Sequence, residues 1–182
     1  MHRITLNNGM QMPVIGFGTF QMTGKVCEDA VCEAIRAGYR LIDTAQAYGN
    51  EEAVGAGIKK SGIAREELFI VTKVNFPSYE QAEAVVKASL EKLQTAYLDL
   101  VLLHWPFGNY YHAWRVLERF YEEGTIRSIG VSNFEPDRII DLVHFNKVVP
   151  AVDQIETHLF CQRQTERTWM DKYCLLYTSR CV

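Results

Sequence analysis

Residues 98–106 read Leu98-Asp99-Leu100-Val101-Leu102-Leu103-His104-Trp105-Pro106. A short run of large apolar side chains stops at an ionisable one. Its length and lack of helical spacing suit a strand buried on both faces, as in a parallel sheet. The same pattern recurs on both sides. Upstream, Leu41-Ile42 stops at Asp43, and Leu68-Phe69-Ile70-Val71-Thr72 stops at Lys73. Downstream, Ile126 to Val131 stops at Ser132-Asn133, and Ala151 to Ile155 carries Gln154 near its end. A first apolar run, Val14 to Gly18, ends at Thr19.

Helical periodicity fills the intervals. Residues 28–37 stop at Gly38, and residues 50–61 are capped by Asn50 and stopped by Gly62. Residues 79–93 and 112–123 follow, then residues 136–146 with Pro136 in the first turn. The β–α alternation repeats six times without a linker or low-complexity segment. Ahead of it, Ile4-Thr5-Leu6 and Met10-Gln11-Met12 flank Asn7-Asn8-Gly9 as a small hairpin. A doubly wound open sheet and a (β/α)8 barrel both fit this order. Gly16-x-Gly18 lacks the third glycine of a dinucleotide fingerprint, and Asp29, the candidate ribose acid, falls within a helix.

The composition narrows the class. Of 182 residues, 48% are hydrophobic and 23% charged, a folded globular mix that excludes disorder. A net charge of −3 offers no basic excess for nucleic acid. No apolar stretch approaches the ~18 residues of a membrane helix, and the N-terminus lacks a signal-peptide core. The five cysteines, Cys27, Cys32, Cys161, Cys174 and Cys181, are odd in number and form no C-x-x-C pair. Free thiols in a cytoplasmic protein follow from that. Trp114 and Phe120, at helical spacing, read as core.

The strand ends carry the functional signal. Asp43, Lys73, His104, Ser132-Asn133 and Gln154 share one geometric location, and in a barrel such ends converge on one face. Any one of them alone reads equally as a cap or a loop residue. Tyr48 lies in the loop that follows Asp43. An ammonium beside a phenol stabilises its phenolate, so the phenol yields its proton more readily. A carboxylate holds that ammonium in place, and a histidine beside the phenol can orient a carbonyl oxygen. Together they could protonate a developing alkoxide. Hydride would have to come from a cofactor, since no side chain supplies it. The His and Asp spacings fit no metal site, and Lys73 in the same cluster argues against one.

These residues resemble the aldo-keto reductase family. Gly16-Phe17-Gly18-Thr19 is similar to the family's first strand, and Asp43-Thr44-Ala45-x-Ala47-Tyr48-Gly49-Asn50-Glu51 to its aspartate and tyrosine segment. Thr72-Lys73, Leu102-Leu103-His104-Trp105-Pro106, the run from Gly124 to Phe134 and Gln154-Ile155-Glu156 complete the match in order. The resemblance implies a (β/α)8 TIM barrel, incomplete at about six of eight units, closed below by the N-terminal hairpin. It implies reduction of an aldehyde or ketone to an alcohol with hydride from NADPH, NADH being the alternative donor. Tyr48 would be the acid, Lys73 and Asp43 would tune it, and His104 would orient the carbonyl. Gly18, Thr19, Asp43, Ser132, Asn133 and Gln154 would meet the cofactor. Phe20, Tyr48, His104 and Trp105 would wall the substrate pocket, whose loop at residues 107–111 suggests small aldehydes, ketones or keto-sugars.

The resemblance further implies a cytoplasmic monomer acting on a small carbonyl compound, with no nucleic-acid or membrane partner and no metal. Two other readings stand beside it: a non-catalytic binding or structural member of the fold, and an inactive fragment. Residues 1–173 read as the partial barrel domain, and residues 174–182 as a non-native tail. Asp153 departs from the asparagine common in relatives.

Overall fold

The computed structural model describes residues 2–180. The hairpin forms as read: β1 (Arg3–Thr5) pairs antiparallel with β2 (Gln11–Pro13), and Gly9 takes φ 86° in the turn. Seven further strands make one sheet in chain order: β3 (Phe17–Gly18), β4 (Leu41–Asp43), β5 (Phe69–Val74), β6 (Leu100–Leu103), β7 (Ile129–Ser132), β8 (Val152–Glu156) and β9 (Leu176–Arg180). Every neighbouring pair is parallel. A helix bridges each pair: α1 (Gly24–Arg36), α2 (Glu51–Ser61), α3 (Ala82–Lys92), α4 (Tyr110–Glu122), α5 (Pro136–Phe145) and α6 (Gln164–Lys172). The open doubly wound alternative falls, because sequential parallel pairing from β3 to β9 is the order of a barrel wall.

Side-chain parity divides the strands between two cores. Ile42, Ile70, Val101, Leu103, Ile129, Val131 and Ile155 face outward and pack beneath the helices with Trp114, Leu117 and Phe120. Leu41, Phe69, Val71, Leu100, Leu102 and Val152 face inward. The hairpin plugs that interior from the strands' N-terminal side with Leu6 and Met12. It is pinned there by Asn7, which donates to the Pro150 carbonyl at 2.9 Å, and by Asn8, which donates to Ser128 Oγ at 2.8 Å. Gly130 sits where an inward Cβ would lie 2.5 Å from the Val152 carbonyl, so only glycine lets β7 and β8 close at this point.

Several boundaries and the strand count differ from expectation. α1 begins at Gly24 rather than residue 28. The strand count is seven rather than six, because Leu176–Arg180 pairs with β8 from Val152↔Leu176 onward. Strand pairing is a backbone property, and the edge of β8 offers unpaired N–H and C=O groups to any segment able to extend. Leu175 is buried and Leu176 packs against the interior cluster, so this segment also covers apolar surface. Cys174 is exposed; Cys181 lies outside the described residues. Among the described residues, no helix is long and apolar enough to cross a membrane.

Candidate active site

The inward parity that buries Leu41, Val71, Leu102 and Val152 places Asp43, Lys73, His104 and Gln154 inward too, each two residues further along. They therefore meet at the C-terminal rim. Lys73 is 1% exposed, and its Nζ donates to Asp43 Oδ1 at 2.5 Å and to the Thr44 carbonyl at 2.9 Å. The ammonium also stands 5.2 Å from the centroid of the Tyr48 ring. Tyr48 comes from the short helical turn Gln46–Tyr48 after β4, which Gly49 ends at a left-handed φ of 65°. The His104 ring meets Tyr48 edge-on at 5.9 Å, and the Phe20 ring lies 5.0 Å from that of Tyr48 at a tilt of 53°.

The aromatic wall continues outward. His104 stacks on Trp105, and Trp105 on Phe107 at 5.9 Å and 8°. Phe107 meets Phe76 edge-on. Trp105 is held from behind, since Tyr79 donates its hydroxyl to the Trp105 carbonyl at 2.6 Å. Burial pushes the Tyr79 phenol well above the usual tyrosine range, so this hydroxyl stays a donor.

Ser132, Asn133 and Gln154 come together as expected. Ser132 donates Oγ to the Gln154 carbonyl at 2.9 Å. Asn133, at φ 60°, donates Nδ2 to the His104 carbonyl at 3.1 Å and to Ser132 Oγ at 3.0 Å. Gln154 also donates Nε2 to Asp43 Oδ2 at 2.8 Å, a partnership no linear spacing signals across 111 positions. A cavity of about 520 Å³ runs from the hairpin along the sheet's inner face to this rim, lined by Met12, Leu41, Val71 and Val152 and, at the rim, by Asp43, Tyr48 and Gln154.

Two residues make contacts that sequence spacing did not signal. Thr19 is not among the residues that line the cavity. It is fully buried, and both its N–H and its hydroxyl donate to the Asp43 carbonyl, at 3.0 and 3.1 Å. Its role is to hold β3 against β4, and Gly18 alone of that pair lines the cavity. Asn50 precedes α2 but makes no cap bond, because its side chain turns back to Thr44, Thr19 and Met22. The sequence offered one clue to this: Glu51 and Glu52 already place negative charge at the positive end of α2.

One buried group has no place in this cluster. Asp153 faces outward, beneath the starts of α5 and α6. The Phe134 N–H approaches it without closing a well-formed hydrogen bond. Burial holds its carboxyl well above the usual aspartate range.

The family model described as the aldo/keto reductase family matches residues 14–176 of this chain. The chain belongs to that family. Aldo/keto reductases recur among its curated relatives. It is 46% identical over 175 residues to glyoxal reductase of Bacillus subtilis, a match covering 94% of this chain and 62% of that protein. It is 41% identical to the 9,11-endoperoxide prostaglandin H2 reductase of Trypanosoma cruzi, covering 97% of this chain and 64% of that one. The chain thus spans less than two thirds of the length of these relatives. Among solved structures, the aldo/keto reductase from Brucella melitensis superposes with a TM-score of 0.96 at 38% identity, covering 98% of this chain and 72% of the other. The Bombyx mori aldo-keto reductase in complex with NADP superposes at 0.90 with 32% identity, covering 98% and 65%. These aldo/keto reductase structures bear out the barrel that the family resemblance implied.

Proposed function

We propose that this chain carries the catalytic half of a cytoplasmic, monomeric reductase that converts a small aldehyde or ketone to its alcohol. The observation that carries the reading is the contact set of Tyr48: the Lys73 ammonium at 5.2 Å, the His104 ring at 5.9 Å and open cavity in front. An oxygen placed between Tyr48 and His104 would accept a proton from the phenol as negative charge develops on it. Lys73, neutralised by Asp43 and fixed by Thr44, is the positive charge that makes that transfer easier. His104 directs the carbonyl oxygen at the phenol. Phe20, 64% exposed, and Trp105 offer apolar ring surface to the substrate's carbon skeleton. The absence of a membrane-crossing helix among the described residues, together with free Cys27, Cys32, Cys161 and Cys174, supports the cytoplasmic setting.

The site's donors fit a nicotinamide cofactor. Beyond the bonds already described, Gln154 has one amide N–H and its Oε1, and Asn133 has its Oδ1, so the pair can still offer a carboxamide both a donor and acceptors. A Cβ at Gly18 would meet nothing within 4 Å, leaving room beside the backbone for a flat ring. NADPH, bound by these residues, would supply hydride. The structure with NADP among its solved relatives supports that choice.

The test follows consumption of NADPH by its near-ultraviolet absorbance, with a panel of short aldehydes, ketones and diketones. Turnover by the chain as it stands would set aside the inactive-fragment reading. Tyr48→Phe should lower kcat on the order of 10²–10⁴-fold while leaving cofactor binding unchanged. Undiminished turnover in that variant would remove Tyr48 from the role of acid. Cofactor binding without turnover of any carbonyl would favour a non-catalytic binding protein.

A further inference from the structure

Asn50 is 2% exposed, and its side-chain amide is fully used. Oδ1 accepts from Thr44 Oγ1 at 2.8 Å. Nδ2 donates to the Thr19 carbonyl at 2.8 Å and to the Met22 carbonyl at 2.9 Å. An asparagine at this position ordinarily caps its helix. Here the capping bond is given up for three tertiary ones.

Those three partners belong to the parts of the site that must keep their distances. Thr19 and Met22 bracket Phe20, whose ring lies 5.0 Å from Tyr48. Thr44 follows Asp43, and the Thr44 carbonyl accepts Lys73 Nζ at 2.9 Å. Asn50 itself stands two residues beyond Tyr48, across the left-handed Gly49. The next residue repeats the pattern: Glu51, 2% exposed, accepts from Thr72 Oγ1 at 2.6 Å, beside Lys73.

We propose that Asn50 is a positioning residue that clamps the Tyr48 turn to the Phe20 loop and to the strand end bearing Asp43. The inference rests on the reading of Tyr48 as the proton donor. An amide is the group the place demands. It gives two N–H donors to two carbonyls and one acceptor to a hydroxyl, which serine, threonine and aspartate cannot do at once. Aspartate would keep the Thr44 bond but set a carboxylate oxygen against the Thr19 and Met22 carbonyls. The clamp acts on geometry alone, and displacement of a reacting group by about 1 Å is worth on the order of 10²-fold in rate.

The test compares Asn50→Asp, Asn50→Ala and Thr44→Val in the full chain. The Phe20–Tyr48 ring contact is read by NMR cross-relaxation between the two rings, helix content by circular dichroism, and kcat and KM with a short aldehyde and NADPH. Asn50→Asp and Asn50→Ala should keep their helix content and lose the ring contact, with kcat down on the order of 10²-fold and KM changed far less. Thr44→Val should keep the ring contact, because both loop bonds remain. A retained ring contact or an unchanged kcat in Asn50→Asp overturns the proposal. Loss of helix content in both Asn50 variants also overturns it, by making the residue a requirement of the fold. The ring contact is read without turnover, so a wild-type chain that reduces nothing would sink the reductase reading and still leave the clamp decided by NMR.

Discussion

Lys73 Nζ lies 2.5 Å from Asp43 Oδ1, although the two residues are not paired across their strands. Asp43 is in register with Val71, so Lys73 stands two residues further along β5 and reaches sideways and back to the carboxylate. The staggered rim of a parallel barrel makes that reach possible, and it leaves the outer side of the ammonium for Tyr48.

That pairing sets a first prediction. Lys73→Ala leaves the Asp43 carboxylate with Gln154 as its side-chain donor in a mostly enclosed site. Removing one partner of a buried pair costs about 3–5 kcal/mol, and the partial exposure of Asp43 places this case near the lower end. The urea midpoint should fall with an unchanged slope. Lys73→Met combined with Asp43→Leu should recover much of the loss, since the lone charge is then gone. A double variant no more stable than Lys73→Ala would contradict the account.

Gly130 tests the fit of β7 against β8. An alanine Cβ there would lie 2.5 Å from the Val152 carbonyl and 2.8 Å from Leu102 Cδ2. The first neighbour is backbone and cannot swing away. Gly130→Ala should cost about 1–3 kcal/mol, as overpacking of a full interior does. An unchanged melting temperature would show that the strands can part here without penalty.

Asp153 predicts a pH dependence. Burial raises its carboxyl in the folded chain, with Glu135 and Glu166 adding to the effect and Arg163 opposing it. The folded state therefore holds a proton that the unfolded state releases above about pH 4. The associated stability is complete at acid pH and is lost as pH rises toward the folded value. Asp153→Asn removes the ionisation. It should match the parent near pH 4 and exceed it increasingly toward pH 8, by roughly 1–3 kcal/mol at the top of that range. Paired melting curves across pH decide this, and an advantage that does not grow with pH would count against it.

Tyr97 lies between two guanidinium groups, Arg65 at 4.0 Å and Arg127 at 3.5 Å from the ring centroid. Arg65 also binds Asp99 Oδ2 at 2.6 Å, and that oxygen accepts from the Ile70 N–H. The ring surface rather than the hydroxyl makes these contacts, and the buried Tyr97 hydroxyl has no hydrogen-bond partner among the described residues. Tyr97→Phe should therefore be neutral or slightly stabilising. Tyr97→Leu should cost about 1–2 kcal/mol through the lost cation–π contacts. Equal losses in the two variants would place the energy in the hydroxyl instead.

Much of the site was legible in the linear chain, for a physical reason. A doubly buried strand must be apolar until it leaves the sheet, so Asp43, Lys73 and His104 stand out at the ends of apolar runs. The two-residue parity of a strand then sends each of them to the same side as the apolar residue two before it. Repetition of one β–α unit made a parallel sheet with helical crossovers readable, the choice of a barrel came from the family resemblance, and Asn-Gly announced the hairpin. The number of strands was less legible, because Leu176–Arg180 pairs through its backbone while its side chains carry little signal.

Partnership was decided only in three dimensions. Asn50 looked like a helix cap, and nothing in the spacing showed that Thr19 bonds to the Asp43 carbonyl or Gln154 to the Asp43 carboxylate. Each turned out to hold another part of the rim, because strand register and loop length set what an amide or hydroxyl can reach. Residue type and period by themselves determined which groups the site contains. The tertiary structure determined which of them touch and which hold the others still, since a hydrogen bond depends on angstroms that no spacing along the chain encodes.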